Sequence, residues 1–243
     1  MVYMNHLVIG KGEIGTAIMK VFRCDGVDKE SEHQNIDWTK VIFDFTYATF
    51  TRINDKYDIL HICIPYSEDF IQIVKDYKKK YHAKYVVVHS TVPLGTNKKL
   101  GSISSPVLGI HPYLEEGIRT FIKFLGGPKA SEIADEFRRA GLRVYIFEKS
   151  ETTELMKILD TTFYGVCIEY TKDVLRQCKK FNVPFEAWSL WTDNYNQGYT
   201  RLNHPEYVRP NLVPIMHKIG GHCIMQNTEL LKTKFTEFLK ENA

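Results

Sequence analysis

The stretch HLVIGKGEIGTAIMKVF, residues 6–22, changes character twice and decides the fold. Leu7-Val8-Ile9 is a short apolar run of the kind that forms a buried strand. Gly10, Gly12 and Gly15 follow with the spacing G-x-G-x-x-G. Ile14, Ala17, Ile18, Val21 and Phe22 then recur with helical period. Strand, glycine turn and helix in this order make an anion-binding device. Gly10 permits the tight turn, Gly12 lets a pyrophosphate approach the backbone, and Gly15 lets helix pack closely on strand. The first helical turn, with Glu13 and Ile14, offers free N–H groups and the positive end of the helix dipole.

A dinucleotide at this turn needs an acid at the end of the second strand to accept the ribose hydroxyls. Asp28 in CDGVDKE is the candidate, with Asp25 as the weaker choice. The spacing from the glycines is short, so an ordinary loop acid is the competing reading. A carboxylate here favours NAD over NADP, whose extra phosphate prefers an arginine.

Strand-like runs continue at α/β spacing: YDILHICIPYS (57–67), KYVVVHSTVPLGT (84–96), SPVLGIHPYLEEG (105–117) and LRVYIFEKS (142–150). Between them EDFIQIVKDYKKKY and ASEIADEFRRAG read as helices. Alternation of this kind predicts an α/β domain over 1–149, a Rossmann-type, doubly wound parallel sheet. Ligands of such sheets lie at the carboxyl ends of the strands. Gly10 to Gly15, Pro65, Ser90-Thr91 and His111 to Glu116 fall at those ends.

After Ser150 the period becomes helical. ETTELMKILDTTFYGVCIEYTKDVLRQCKKF, residues 151–181, carries no proline, and Leu155, Leu159, Val166, Tyr170, Val174 and Cys178 recur at helical spacing. Glu154, Lys157 and Thr161 share a face of this long helix. A short helix near 184–196, a loop-rich segment and a terminal helix in NTELLKTKFTEFLKEN complete a smaller, all-helical domain over 150–243.

Composition narrows the function classes. Lys plus Arg number 32 against 29 Asp plus Glu, a net charge of +3, which argues against a dedicated nucleic-acid surface. No apolar run approaches the ~20 residues that span a bilayer, and the N-terminus lacks the pattern of a secretory leader. Five widely spaced cysteines without a C-x-x-C pair suit reduced thiols and a cytoplasmic location. No cysteine–histidine cluster has the spacing of a zinc site, so no metal is expected.

Several separated stretches agree with one family. Gly10, Gly12 and Gly15, then STVPLGT (90–96), YLEEG (113–117), TELMK (153–157) and GGHCI (220–224), occur in the same order as in the nucleotide-sugar dehydrogenases. The chain resembles that family, of the UDP-glucose and UDP-N-acetylmannosamine type, within the wider 6-phosphogluconate and 3-hydroxyisobutyrate dehydrogenase group. The resemblance implies oxidation of an alcohol with NAD. Cys223 would capture an aldehyde as a thiohemiacetal, and Glu116 would help water release the acid. Lys157 would stabilise the oxyanion. Thr91 would hold water or substrate near the nicotinamide. By the same resemblance the helical domain forms a homodimer.

The chain also departs from the pattern. The family's asparagine four residues after the lysine is Thr161 here, and its aspartate four residues after the cysteine is Asn227. The family's third domain, which grips the UDP, has no counterpart in these residues. The expected substrate is therefore a sugar, nucleotide-sugar or small hydroxy-acid alcohol, or else a partner chain supplies a substrate-binding domain. A non-catalytic, NAD-binding regulatory relative is the alternative, and for Cys223 simple packing is the bland one.

Overall fold

The computed structural model describes residues 4–28, 56–215, 219 and 222–242, the side chains of His222 and Cys223 excepted. The chain divides into two compact units, Met1–Lys157 and Ile158–Ala243. The expected boundary at 149/150 is where a long helix begins, and the division falls inside that helix.

The first unit is built on a seven-stranded sheet in the order β2-β1-β3-β4-β5-β6-β7. The strands are β1 (His6–Ile9), β2 (Asp25–Val27), β3 (Ile59–Ile62), β4 (Tyr85–Val88), β5 (Ile103–Ser104), β6 (Lys123–Gly126) and β7 (Val144–Phe147). Every neighbouring pair is parallel except β5 with β6. The helices of this unit are α1 (Glu13–Phe22), α2 (Phe70–Lys80), α3 (Thr96–Leu100), α4 (Leu114–Thr120) and α5 (Ala130–Arg139). The strand order reverses between β1 and β3, the crevice where open α/β sheets take ligands.

The central strands are mostly apolar because both faces are covered. Leu7, Ile9, Leu60, Ile62, Val86 and Val88 pack with Phe70 and Val74 of α2. Val8, Ile59 and Val87 point the other way, against Ala17 and Ile18 of α1 and Ile133 and Phe137 of α5. Leu114 and Ile118 of α4 join this second layer.

Two strand expectations change. SPVLGIHPYLEEG does not form a strand; β5 ends at Ser104, and an irregular segment leads into α4. Pro106 and Pro112 withhold ladder donors, and Gly109 has φ +151°. β6, in KFLG, is a short strand that the alternation of apolar runs did not mark.

The long helix α6 runs Ser150–Lys180, about 46 Å at ~1.5 Å per residue. Its apolar row is not a simple core stripe. Ile158 is fully buried, while Leu159 and Tyr170 are exposed. The second unit continues with α7 (Glu186–Arg201), a 3-10 turn at Pro205–Tyr207, α8 (His222–Thr228) and α9 (Lys234–Asn242). α7 extends past its expected end at 196. The single expected terminal helix is two, because Thr233 caps α9: its Oγ1 accepts the Thr236 N–H at 3.1 Å while Thr236 Oγ1 accepts the Thr233 N–H at 2.7 Å.

Candidate functional site

The glycine turn has a separate physical reason at two of its positions. Gly10 follows β1 with φ +96°, and a Cβ there would lie 2.8 Å from the Cys63 carbonyl oxygen. Gly15 faces the turn from inside α1, where a Cβ would lie 1.8 Å from the Gly10 carbonyl oxygen. Helix and turn therefore touch backbone to backbone. Gly12 caps α1 and differs from both, since a Cβ there meets nothing within 4 Å. The turn is closed beneath and open above, the shape a pyrophosphate needs.

Asp28 stands one residue past β2, and its Oδ2 accepts the backbone N–H of Lys11, inside the glycine turn, at 3.0 Å. The β2 register, Val27 opposite Ile9, brings the acid to the turn despite the short sequence spacing. Asp25 is the first residue of β2, opposite Leu7, at the end of the strand away from the turn. The residues thus fit a dinucleotide. Open backbone lies at Gly12, free N–H groups begin α1, and a carboxylate is fixed beside them.

Glu13 opens α1 and forms an ion pair with His111. Ile14 packs against the apolar layer under α1. Pro65 is exposed three residues past β3, and Thr91 is half-buried three residues past β4, both beyond the carboxyl ends of their strands. Ser90 Oγ donates to the Ile64 carbonyl at 2.5 Å, which ties the β4 exit to the β3 exit. Glu116 lies exposed in the first turn of α4.

The first turns of α6 are anchored by Glu154, a role that its helical spacing does not show. Glu154 is 2% exposed. Its carboxylate accepts the Gly95 N–H at 2.6 Å and, at 2.8 Å each, the Asn97 N–H and side-chain amide. It thereby caps α3 and fastens the STVPLGT loop to the helix that carries Lys157. Lys157 itself is half-buried, one turn further along. Glu154→Ala would strand two buried donors on Asn97 at ~1–3 kcal/mol each and the part-buried Gly95 N–H besides. The expected loss of stability is about 3 kcal/mol or more by urea denaturation, and a loss under about 1 kcal/mol would refute the anchoring role.

In the second unit, a Cβ on Gly165 of α6 would lie 2.8 Å from Leu239 Cδ1 and 2.9 Å from Ile224 Cγ2. This close crossing seats α8 and α9 on α6. Thr161, one turn before Gly165, is buried, as is Asn227 of α8. The backbone of Cys223 is helical, at the second position of α8; its side chain, with Gly220 and Gly221, lies outside the described residues.

No protein-family model and no curated protein matches the chain. Solved structures do. The UDP-D-ManNAc dehydrogenase of Pyrococcus horikoshii matches with TM-score 0.74 at 17% identity, over 98% of this chain and 68% of that one. The 3-hydroxyisobutyrate dehydrogenase of Mycobacterium tuberculosis matches with TM-score 0.67 at 10% identity, over 99% and 92%. The UDP-glucose dehydrogenase of Pyrobaculum islandicum gives 0.63 at 15% identity, over 99% and 65%. The chain thus spans about two thirds of the length of the nucleotide-sugar dehydrogenases it resembles, and nearly the whole of the hydroxy-acid enzyme. What it shares with both is the fold: a Rossmann-type sheet followed by a helical unit on one long helix.

Proposed function

We propose that the chain is an NAD-dependent dehydrogenase of CH–OH groups. The observation that carries this reading is the Asp28 carboxylate hydrogen-bonded to Lys11 N–H within the glycine turn. In this reading Gly12 and the first N–H groups of α1 hold the pyrophosphate, and Asp28 holds the adenosine ribose and disfavours a 2′-phosphate. Pro65 and Thr91 border the nicotinamide side. Bound NAD would supply a two-electron hydride acceptor. Lys157 would hold the substrate oxygen and stabilise its negative charge.

In a four-electron reaction, Cys223 Sγ would add to the aldehyde carbon, and Glu116 would direct water at the acyl carbon that follows. Thr161 and Asn227 would orient the substrate or water by hydrogen bonds, though Asn227 cannot serve as a base. The two-electron alternative needs no thiol. It is favoured by the 92% coverage of the 3-hydroxyisobutyrate dehydrogenase and by asparagine at 227. A screen of hydroxy acids, sugars and UDP-sugars for NADH production tests the proposal. Two NADH per substrate mark the thiol route and one the simpler route; tight NAD binding with no turnover across the screen would leave only a regulatory role.

Iodoacetamide labelling with peptide mapping separates the roles of Cys223. The thiol route predicts labelling of Cys223 ahead of the other four cysteines and protection by substrate; labelling no faster than an ordinary thiol contradicts it. A homodimer through 150–243 is also proposed. Phe181, Leu190, Trp191 and Leu202 are each at least two thirds exposed in the second unit, an apolar surface that suits a second copy. Light scattering at micromolar concentration should give twice the chain mass, and a monomer would refute this assembly.

A further inference from the structure

Three histidines cross the core of the first unit in one hydrogen-bonded row. His6 Nδ1 lies 2.8 Å from His61 Nε2, His61 Nδ1 lies 2.9 Å from His89 Nε2, and His89 Nδ1 lies 2.9 Å from the Ser105 carbonyl oxygen. They come from β1, β3 and the exit of β4, and the row ends at the exit of β5. The rings are nearly coplanar, with interplanar angles of 12° and 15°. Phe22 of α1 and Phe137 of α5 pack against them. His61 and His89 are at most 1% exposed.

The carbonyl at the end fixes every proton in the row. A carbonyl only accepts, so His89 must carry its proton on Nδ1 and accept at Nε2. His61 must then donate from Nδ1 and accept at Nε2, and His6 must donate from Nδ1. One ring nitrogen is left over, His6 Nε2, and it lies 3.9 Å from Glu136 Oε2 of α5. A proton can enter there and nowhere else. Once it has entered, shifting the His6 Nδ1 proton, or that and the His61 Nδ1 proton, places the charge on His61 or His89. The two ends differ in electrostatics. Glu136 and Asp58 face His6, with Arg139 bound to Glu136. Lys123 of β6 lies at the far end, donating from Nζ to the Ser105 carbonyl at 2.8 Å and to the Pro106 carbonyl at 3.1 Å. His89 and Lys123 therefore grip the same oxygen, at the start of the segment that leads to Glu116. The row is linear, and among the described residues no group of three or more His, Cys, Asp or Glu side chains is placed to hold a metal ion.

We propose that His6, His61 and His89 form a single-proton binding site, filled from the Glu136 end and read out at the Ser105 carbonyl. One proton fits because Glu136 balances it. A second would set two cations in contact in a dry core beside Lys123. Binding polarises the whole row, strengthens the His89 hydrogen bond to Ser105 and opposes an ammonium charge on Lys123. The β5 exit is thereby made sensitive to acid, and nothing in the proposal depends on a cofactor.

Imidazole 15N NMR of the full-length protein tests it. At neutral pH all three rings should be Nδ1–H tautomers, and an Nε2–H tautomer at any of them overturns the proposal. On acidification, while the protein is still folded, the three rings should shift together in one step of one proton, and the Ser105 carbonyl 13C resonance should follow it. Separate steps, no step before unfolding, or a Ser105 resonance that ignores the step each overturn it. Glu136→Gln keeps the fold's packing and should move the step to lower pH by roughly one unit. His61→Phe, which suits the space between Phe22 and Phe137, should leave His89 blind to a titration of His6. An unmoved step in Glu136→Gln would remove the assigned entrance.

Discussion

Gly15→Ala is expected to destabilise the protein by about 3 kcal/mol or more, whereas Gly12→Val costs no more than about 1 kcal/mol. The two glycines belong to one motif and sit three residues apart, yet their surroundings are opposite. The added methyl at 15 would overlap the Gly10 carbonyl oxygen at 1.8 Å, a backbone atom that cannot swing aside. Gly10 cannot retreat either, because its own Cα already faces the Cys63 carbonyl. Overpacking in a fixed core costs roughly 1–3 kcal/mol, and a clash of backbone with Cβ lies at or above the top of that range. At Gly12 a Cβ meets nothing within 4 Å, so beyond a helix-cap cost of about 1 kcal/mol or less the valine disturbs what the turn binds. Thermal and urea melts of the two variants check this. Equal melts would mean that α1 does not rest on the turn as described.

Stability should rise steadily from acid through neutral to alkaline pH. Burial holds His6, His61 and His89 below the ordinary imidazole pKa, for the last two far below it. In the unfolded chain all three titrate near 6.5. As pH falls through that value the unfolded chain takes up protons that the folded one refuses, so folding weakens. His61 and His89 alone, at ~1.36 kcal/mol per proton per pH unit, give a slope of about 3 kcal/mol per unit. Lys123 acts with the same sign in another window. Its burial lowers the amine from 10.5 to about 7. Between those values the unfolded lysine is charged and the folded one neutral, so its penalty, complete below pH 7, fades as pH rises towards 10.5. Urea midpoints from pH 5 to 10 check both windows. Lys123→Met should flatten chiefly the alkaline part and His61→Phe chiefly the acid part; maximal stability near pH 5 would contradict the reading.

How much of this could be read in the residues differs between the two units. The glycine turn, the α/β alternation and the strand ends that carry Pro65 and Thr91 follow from local pattern, because a parallel sheet buries continuous apolar runs and turns at glycine. Asp28 was proposed from its chemistry, and the β2 register shows how the short spacing still brings it to the turn. The segment 105–117 misled because its apolar residues resemble a strand while two prolines deny it a ladder. The role of Glu154 was hidden, since its partners Gly95 and Asn97 are far away in sequence. The histidine row left a signal that periodicity alone does not weigh. LHICIP and VVVHST each place one histidine inside or beside a buried strand, as HLVI does at its start. A polar ring repeated in three adjacent strands requires partners in the core. In the second unit, α6 was legible from its uninterrupted length, but its exposed Leu159 and Tyr170 show that period alone does not tell which face is covered.

The central claim is that the glycine turn and Asp28 bind NAD, and calorimetric titration tests it most directly. The parent protein should bind NAD with at least about tenfold preference over NADP, about 1.4 kcal/mol, since a 2′-phosphate would face the Asp28 carboxylate. Gly12→Val should stay folded, melting close to the parent, and give no heat with either nucleotide. A folded parent that gives no heat with NAD, or a Gly12→Val variant that binds it as tightly, would contradict the account.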